Sequence, residues 1–164
     1  MIKRAIFSPD RKYRYELTRT WGSGRLLGFT MLNGSTADED RDDPTVRRCV
    51  GFGKAWGYDG IWITNMYGLV TMDPRELRCA DDPIGPGNDG YLRRMALFVE
   101  KLIVGWGVHG GGDPGRVAAV LEILTNYKDV YCFAKTKGGQ PQHPLYVPMM
   151  PESSLSVYSG KKAR

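Results

Sequence analysis

The 164-residue chain is poor in the residues that usually announce a chemistry or a compartment. It holds only two histidines and three cysteines, and Cys49, Cys79 and Cys132 stand too far apart to form a paired metal-ligand or dithiol motif. That spacing excludes a zinc ribbon and a disulfide scaffold, and it reads as a reduced, intracellular chain. No apolar run approaches about 20 residues, and the start MIKRAIFSPD lacks the apolar stretch of a signal peptide. Neither a membrane span nor export is expected, so the expected location is cytoplasmic. Walker, GxSxG and HExxH motifs are missing, which argues against kinase, serine hydrolase and zinc peptidase chemistry. Internal repeats are also missing.

What is present is an ordinary globular composition, 41% hydrophobic and 25% charged, at a length that suits one domain. We read residues 1–151 as a single α/β domain and 152–164 as a basic, flexible tail. The net charge of +5 permits a polyanionic partner, but it is unevenly spread. From Ala37 to Asp43 the chain reads ADEDRDD, a net of −4, which leaves +9 elsewhere.

Tyr13, Tyr15 and Leu17 alternate with Arg14, Glu16 and Thr18, the pattern of a strand with one buried face. After Gly22-Ser23-Gly24, the run RLLGFTML (25–32) reads as a second strand, so an antiparallel hairpin is expected with its second strand central. Asp43-Pro44 and Asp113-Pro114 are N-cap and first-turn pairs opening helices, and Gly57 suits a left-handed helix end. GIWITN (60–65), KLIVGWG (101–107) and VYCFA (130–134) read as strands between helices. The expected fold is three-layer α/β/α, with a mostly parallel sheet of about four strands plus an antiparallel N-terminal strand.

In such sheets ligands bind beyond the carboxyl ends of the strands. Asn33 and Asn65 each directly follow an apolar run, and an amide there can cap a turn, hold a water or read a base edge. His143, in QPQHPLYVP, can donate a hydrogen bond to developing negative charge, and His109, in WGVHGGG, sits in a Gly-rich setting where backbone amides can approach an anion; either also reads as a plain surface histidine. In the acidic loop, Asp38, Asp40, Asp42 and Asp43 allow a Mg²⁺ site or a general base, alongside the simpler reading of a solvated loop with Asp43 as cap. Lys135 and Lys137 flank Thr136 before Gly138-Gly139 and are the foremost phosphate candidates; Arg47, Arg48, Lys161, Lys162 and Arg164 add exposed charge.

Six segments in order, ELTRTW, MLNGSTADEDRDDPTVRRC, WGYDGIWITNMYGL, DPIGPGND, GWGVHG and TKGGQPQHPLYVP, resemble the bacterial and phage family known as domain of unknown function 1643. A more distant resemblance is to the uracil-DNA glycosylase superfamily. MLNGS is similar to its water-activating loop, IWITNMY to the strand ending in a pyrimidine-reading Asn, and HPLY to its His-Pro-Ser loop. This resemblance implies Asn33 as the water-positioning residue, Asn65 as the base reader and His143 as the stabiliser of the departing base. Tyr67 and Phe52 are the stacking candidates by composition, and Ser35, Thr36, Lys135 and Lys137 the phosphate anchors. Gly34 and Leu145 replace the proline and serine of those loops.

The expected activity is N-glycosidic hydrolysis of uracil or a modified pyrimidine in DNA or a nucleotide, with Asn33, His143 and Asp38 as catalytic candidates and without a cofactor. Two other readings stand beside it. One is a non-catalytic binder of modified bases or nucleotides, and the other is a Mg²⁺-dependent phosphohydrolase or nuclease built on the acidic loop.

Overall fold

A computed structural model describes residues 1–163. Its strands are β1 (Ile2–Phe7), β2 (Arg14–Thr20), β3 (Leu26–Gly34), β4 (Gly60–Val70), β5 (Lys101–Val104), β6 (Val130–Cys132) and β7 (Ser156–Ser159). The helices are α1 (Pro44–Ala55), α2 (Glu76–Cys79), α3 (Asn88–Phe98) and α4 (Pro114–Thr125). All seven strands join one sheet in the order β1-β2-β4-β3-β5-β6-β7. The inner four, β4-β3-β5-β6, are mutually parallel, while β1, β2 and β7 run antiparallel to their neighbours.

The helices begin where local chemistry sets them. Asp43 accepts from the Val46 amide at 2.8 Å ahead of Pro44, and Asp113 from the Arg116 amide at 3.0 Å ahead of Pro114. Gly57 takes the left-handed conformation (φ +75°) after α1. The two faces of the sheet carry separate cores. On one, Val46, Cys49 and Phe52 of α1 pack against Leu27, Phe29, Ile61 and Ile63. On the other, Leu92 and Met95 of α3 and Val120 and Leu124 of α4 cover Trp62, Met66, Leu102 and Val104. Gly28 lets α3 close onto β3, because a Cβ there would lie 2.6 Å from the Met95 sulfur.

Several expectations need correction. β2 and β3 do not form a hairpin: β4 lies between them, pairing antiparallel with β2 and parallel with β3. A long apolar run such as β3 gains more from two parallel neighbours in a covered sheet than from one hairpin partner. The sheet has seven strands and not about five. β1 escapes a pattern reading because IKRAIF mixes charge and apolar residues, and β7 because SVYS is only four residues long. The tail is also tied down beyond 152. β7 pairs with β6, Glu152 Oε1 binds Lys101 Nζ and the Tyr58 hydroxyl, and the Lys162 amide donates to the Thr125 carbonyl at 2.8 Å. Arg164 lies outside the described residues. No helix among them is long and apolar enough to cross a membrane.

Candidate functional site

The parallel strands wind away from β3 in both directions, to β4 through α1 on one face and to β5 and β6 through α3 and α4 on the other. This makes the carboxyl ends of β3 and β5 a topological switch point, where loops part and leave a crevice. A cleft of about 560 Å³ opens there, within the range of small-molecule sites. Its walls come from Asn33 at the end of β3 and Ser35 just after it, Asp43 and Thr45 at the start of α1, Thr71 and Met72 after β4, the 106–109 segment after β5, and Gln142, His143 and Tyr146 after β6. Arg14, at the start of β2, completes the wall.

Asn33 has a defined orientation. Its Nδ2 donates to the Gly34 and Thr71 carbonyls, at 2.7 Å each. Turning the amide over would set Oδ1 against two carbonyl oxygens, so the hydrogen bonds fix Oδ1 as the free acceptor. His143 is fixed in a complementary sense, because its Nδ1 accepts from the Leu145 amide at 3.2 Å. The neutral ring therefore carries its proton on Nε2 and offers a donor. Burial lowers the His143 pKa, and the nearby Asp43 charge only partly opposes this, so the neutral form is favoured.

Asp43 uses Oδ1 to cap α1 and still lines the cleft. Trp106 is 1% exposed and anchored by Nε1 to Gln140 Oε1 at 2.8 Å. Tyr146 is 74% exposed at the cleft mouth, its ring 5.9 Å from that of His143. Gly107 turns the chain out of β5 with φ +70°, a conformation that favours glycine.

Asn33, Ser35, Asp43 and His143 thus meet in one cleft, and His109 also borders it; the other sequence candidates lie elsewhere. β4 does not end at Asn65 but continues to Val70, so Asn65 sits in mid-strand, 1% exposed, with neither amide atom hydrogen-bonded among the described residues. Tyr67 belongs to a smaller neighbouring hollow, where its hydroxyl donates to Asp113 Oδ2 at 3.3 Å; burial and then Asp113 push its pKa up to about 12. Phe52 is fully buried against Phe133 and Trp56. Asp38 turns its own loop, with Oδ1 accepting from the Asp40 and Arg41 amides.

Lys135 and Lys137 are exposed outside the cleft, as is Thr36. The Gly139 amide closes its own turn on the Thr136 carbonyl at 2.9 Å. Arg47 donates to the Asp42 carbonyl at 2.6 Å and Arg48 to the Val147 carbonyl, so both brace loops.

The acidic loop is held by cations of β1, β2 and the turn between them. Asp42 pairs with Arg19 at 2.7 Å and Lys3 at 3.2 Å, and Glu39 pairs with Arg11 at 3.0 Å. Among the described residues no group of three or more His, Cys, Asp or Glu side chains is placed to hold a metal ion.

Sequence reasoning misses Arg14 and Tyr146, and it names Asp43 as a helix cap and as one of four acids open to a metal or general-base role, without singling it out for this site. The alternation of Arg14 with Tyr13 and Tyr15 points to a solvent face. The segment after β3 packs over Arg14, with the Ala37 carbonyl accepting from its Nη1, and nothing local in the sequence signals that.

The architecture is that of a doubly wound α/β protein with its cleft at the switch point. The chain belongs to the family described as protein of unknown function (DUF1643), whose profile matches residues 14–145. Comparison with curated proteins and with solved structures finds no match.

Proposed function

We propose that this cleft hydrolyses the N-glycosidic bond of uracil or a modified pyrimidine, presented in DNA or as a nucleotide, as a uracil-DNA glycosylase-like enzyme. The observation that carries the reading is the fixed Asn33 amide. With Nδ2 committed to two carbonyls, Oδ1 is an acceptor suited to hold a water by one of its hydrogens.

In this reaction the C1′–N bond breaks, its electron pair leaves with the base, and water adds to the sugar carbon. The sugar becomes cationic and the base anionic on the way. His143 Nε2–H is the donor for the departing base, a role that needs the neutral ring that burial favours. Asp43, and not Asp38, is the carboxylate at hand to stabilise the cationic sugar and to take the proton from the water. Tyr146 supplies an exposed ring at the mouth for stacking on an unstacked base. With Asn65 outside the cleft, Gln142 is the amide available to read the base edge.

The test is base release from single-stranded oligonucleotides and free nucleotides carrying uracil and a panel of modified pyrimidines. Release by the wild type, lost in Asn33→Ala and in His143→Gln, is the expected result. Binding without release across the panel would turn the reading to a non-catalytic binder, and neither binding nor release would overturn it.

A further inference from the structure

Among the described residues three arginines are almost fully buried, and only one of them makes no ion pair. Arg19 is 0% exposed and pairs with Asp42 at 2.7 Å; Arg116 is 5% exposed and pairs with Asp89 at 2.7 Å. Arg14 is 3% exposed and has no ion-pair partner among the described residues. Its one hydrogen bond there runs from Nη1 to the Ala37 carbonyl at 2.6 Å, and its Nε is buried without an acceptor. Buried charges are normally paired, because taking a cation out of water without compensation is costly. Burial lowers the Arg14 pKa to about 10, only partly opposed by the charges of Asp43 and Asp38, which still leaves it charged at neutral pH.

The unpaired arginine is also the one that lines the cleft. Ser35 and Thr45 bring hydroxyls to the same cleft, and α1 begins beside them with its positive end. Asp43 lines it too, so its carboxylate limits how much anionic charge the wall accepts.

We infer that Arg14, with the hydroxyls of Ser35 and Thr45, forms an oxyanion subsite that takes a phosphate group of the substrate. The inference deepens the glycosylase reading and rests on it for the nucleoside part of the ligand. Two sources share this chemistry, the terminal phosphate of a free nucleotide and a phosphodiester beside the reacting nucleotide in a single strand.

Calorimetry with the full chain separates these cases. The probes are inorganic phosphate, deoxyuridine, deoxyuridine 5′-monophosphate and a short single-stranded oligonucleotide containing deoxyuridine. The monophosphate or the oligonucleotide should bind about 10-fold or more tightly than deoxyuridine, the scale of a charge-assisted hydrogen bond, and inorganic phosphate should compete. Preference for the monophosphate identifies a terminal phosphate, and preference for the oligonucleotide identifies a diester.

Arg14→Met should erase the preference while leaving the unliganded melting temperature unchanged or raised, since it removes an unpaired buried charge. A purely structural arginine would show the opposite on stability. Should Arg14→Met not fold, Arg14→Lys keeps the charge and should retain part of the preference. Equal binding of deoxyuridine and its phosphorylated forms overturns the subsite, as does a preference that survives Arg14→Met. Turnover reads the function separately: base release without a phosphate preference sinks only the subsite, and a preference without release sinks only the hydrolase reading.

Discussion

The Asn33 side chain donates to the Thr71 carbonyl at 2.7 Å, joining the end of β3 to the loop that follows β4. The same two N–H groups that brace the cleft also aim its acceptor. Asn33→Asp should therefore fail in two ways. It loses both donors and sets a carboxylate against two carbonyl oxygens, so urea unfolding should show a loss of about 1–3 kcal/mol. Base release should fall by about 100-fold or more, as expected for loss of a positioning contact. Unchanged stability in Asn33→Asp would contradict the assignment of Nδ2 as the buried donor.

His143 gives the protein a pH dependence of defined sign. The unfolded chain protonates this ring near the ordinary value of 6.5, and the folded chain only at lower pH, because the ring is partly buried. Between those values the unfolded state binds more protons, so this contribution makes stability rise with pH. Melting temperature should fall as pH drops through about 6.5, and His143→Gln should flatten that part of the curve. Base release should persist to a lower pH than an exposed histidine would allow.

The legible parts of the molecule are those decided within a few residues. Asp43-Pro44, Asp113-Pro114 and Gly57 act on backbone groups next to them, and each behaves as the sequence implies. Strand order is not decided locally. The alternation of β2 and the apolar run of β3 are both visible, yet the insertion of β4 between them depends on which edges find partners. Asn33 and Asn65 show the limit most clearly. Both follow an apolar run, but the chain leaves the sheet after Gly34, whereas the residues after Asn65 continue the strand to Val70. One Asn borders a cleft and the other lies inside the sheet. Arg14 is illegible for the related reason that its burial comes from elements distant in sequence.

Tyr146 should matter for binding and little for folding. It is 74% exposed beside His143, so Tyr146→Ala should leave the melting temperature almost unchanged. If its ring stacks on a base, affinity for a single-stranded oligonucleotide should drop by about 1–3 kcal/mol. Tyr146→Phe should keep most of that affinity. An alanine variant that binds as the wild type does would remove Tyr146 from the site.

The acidic loop should behave as a strut. Burial raises the Asp42 pKa, but hydrogen bonds and charge from Arg19 and Lys3 outweigh it, so the net shift is downward. An acid depressed in this way contributes stability above its unfolded value, near 3.8, and loses it as pH falls through the lower folded value. Asp42→Asn leaves Arg19, 0% exposed, without its counter-charge. Breaking a buried pair from one side costs about 3–5 kcal/mol, and since Asp42 is 18% exposed the lower end is expected. Urea denaturation of Asp42→Asn at pH 7 measures this. A chelator should change neither the stability nor the base release of the wild type, because among the described residues four of the loop's five acids, Asp38, Glu39, Asp42 and Asp43, each already engage a basic side chain or a backbone amide, which leaves Asp40 alone. A stability loss on chelation that Mg²⁺ restores would return the loop to the role of a cation site.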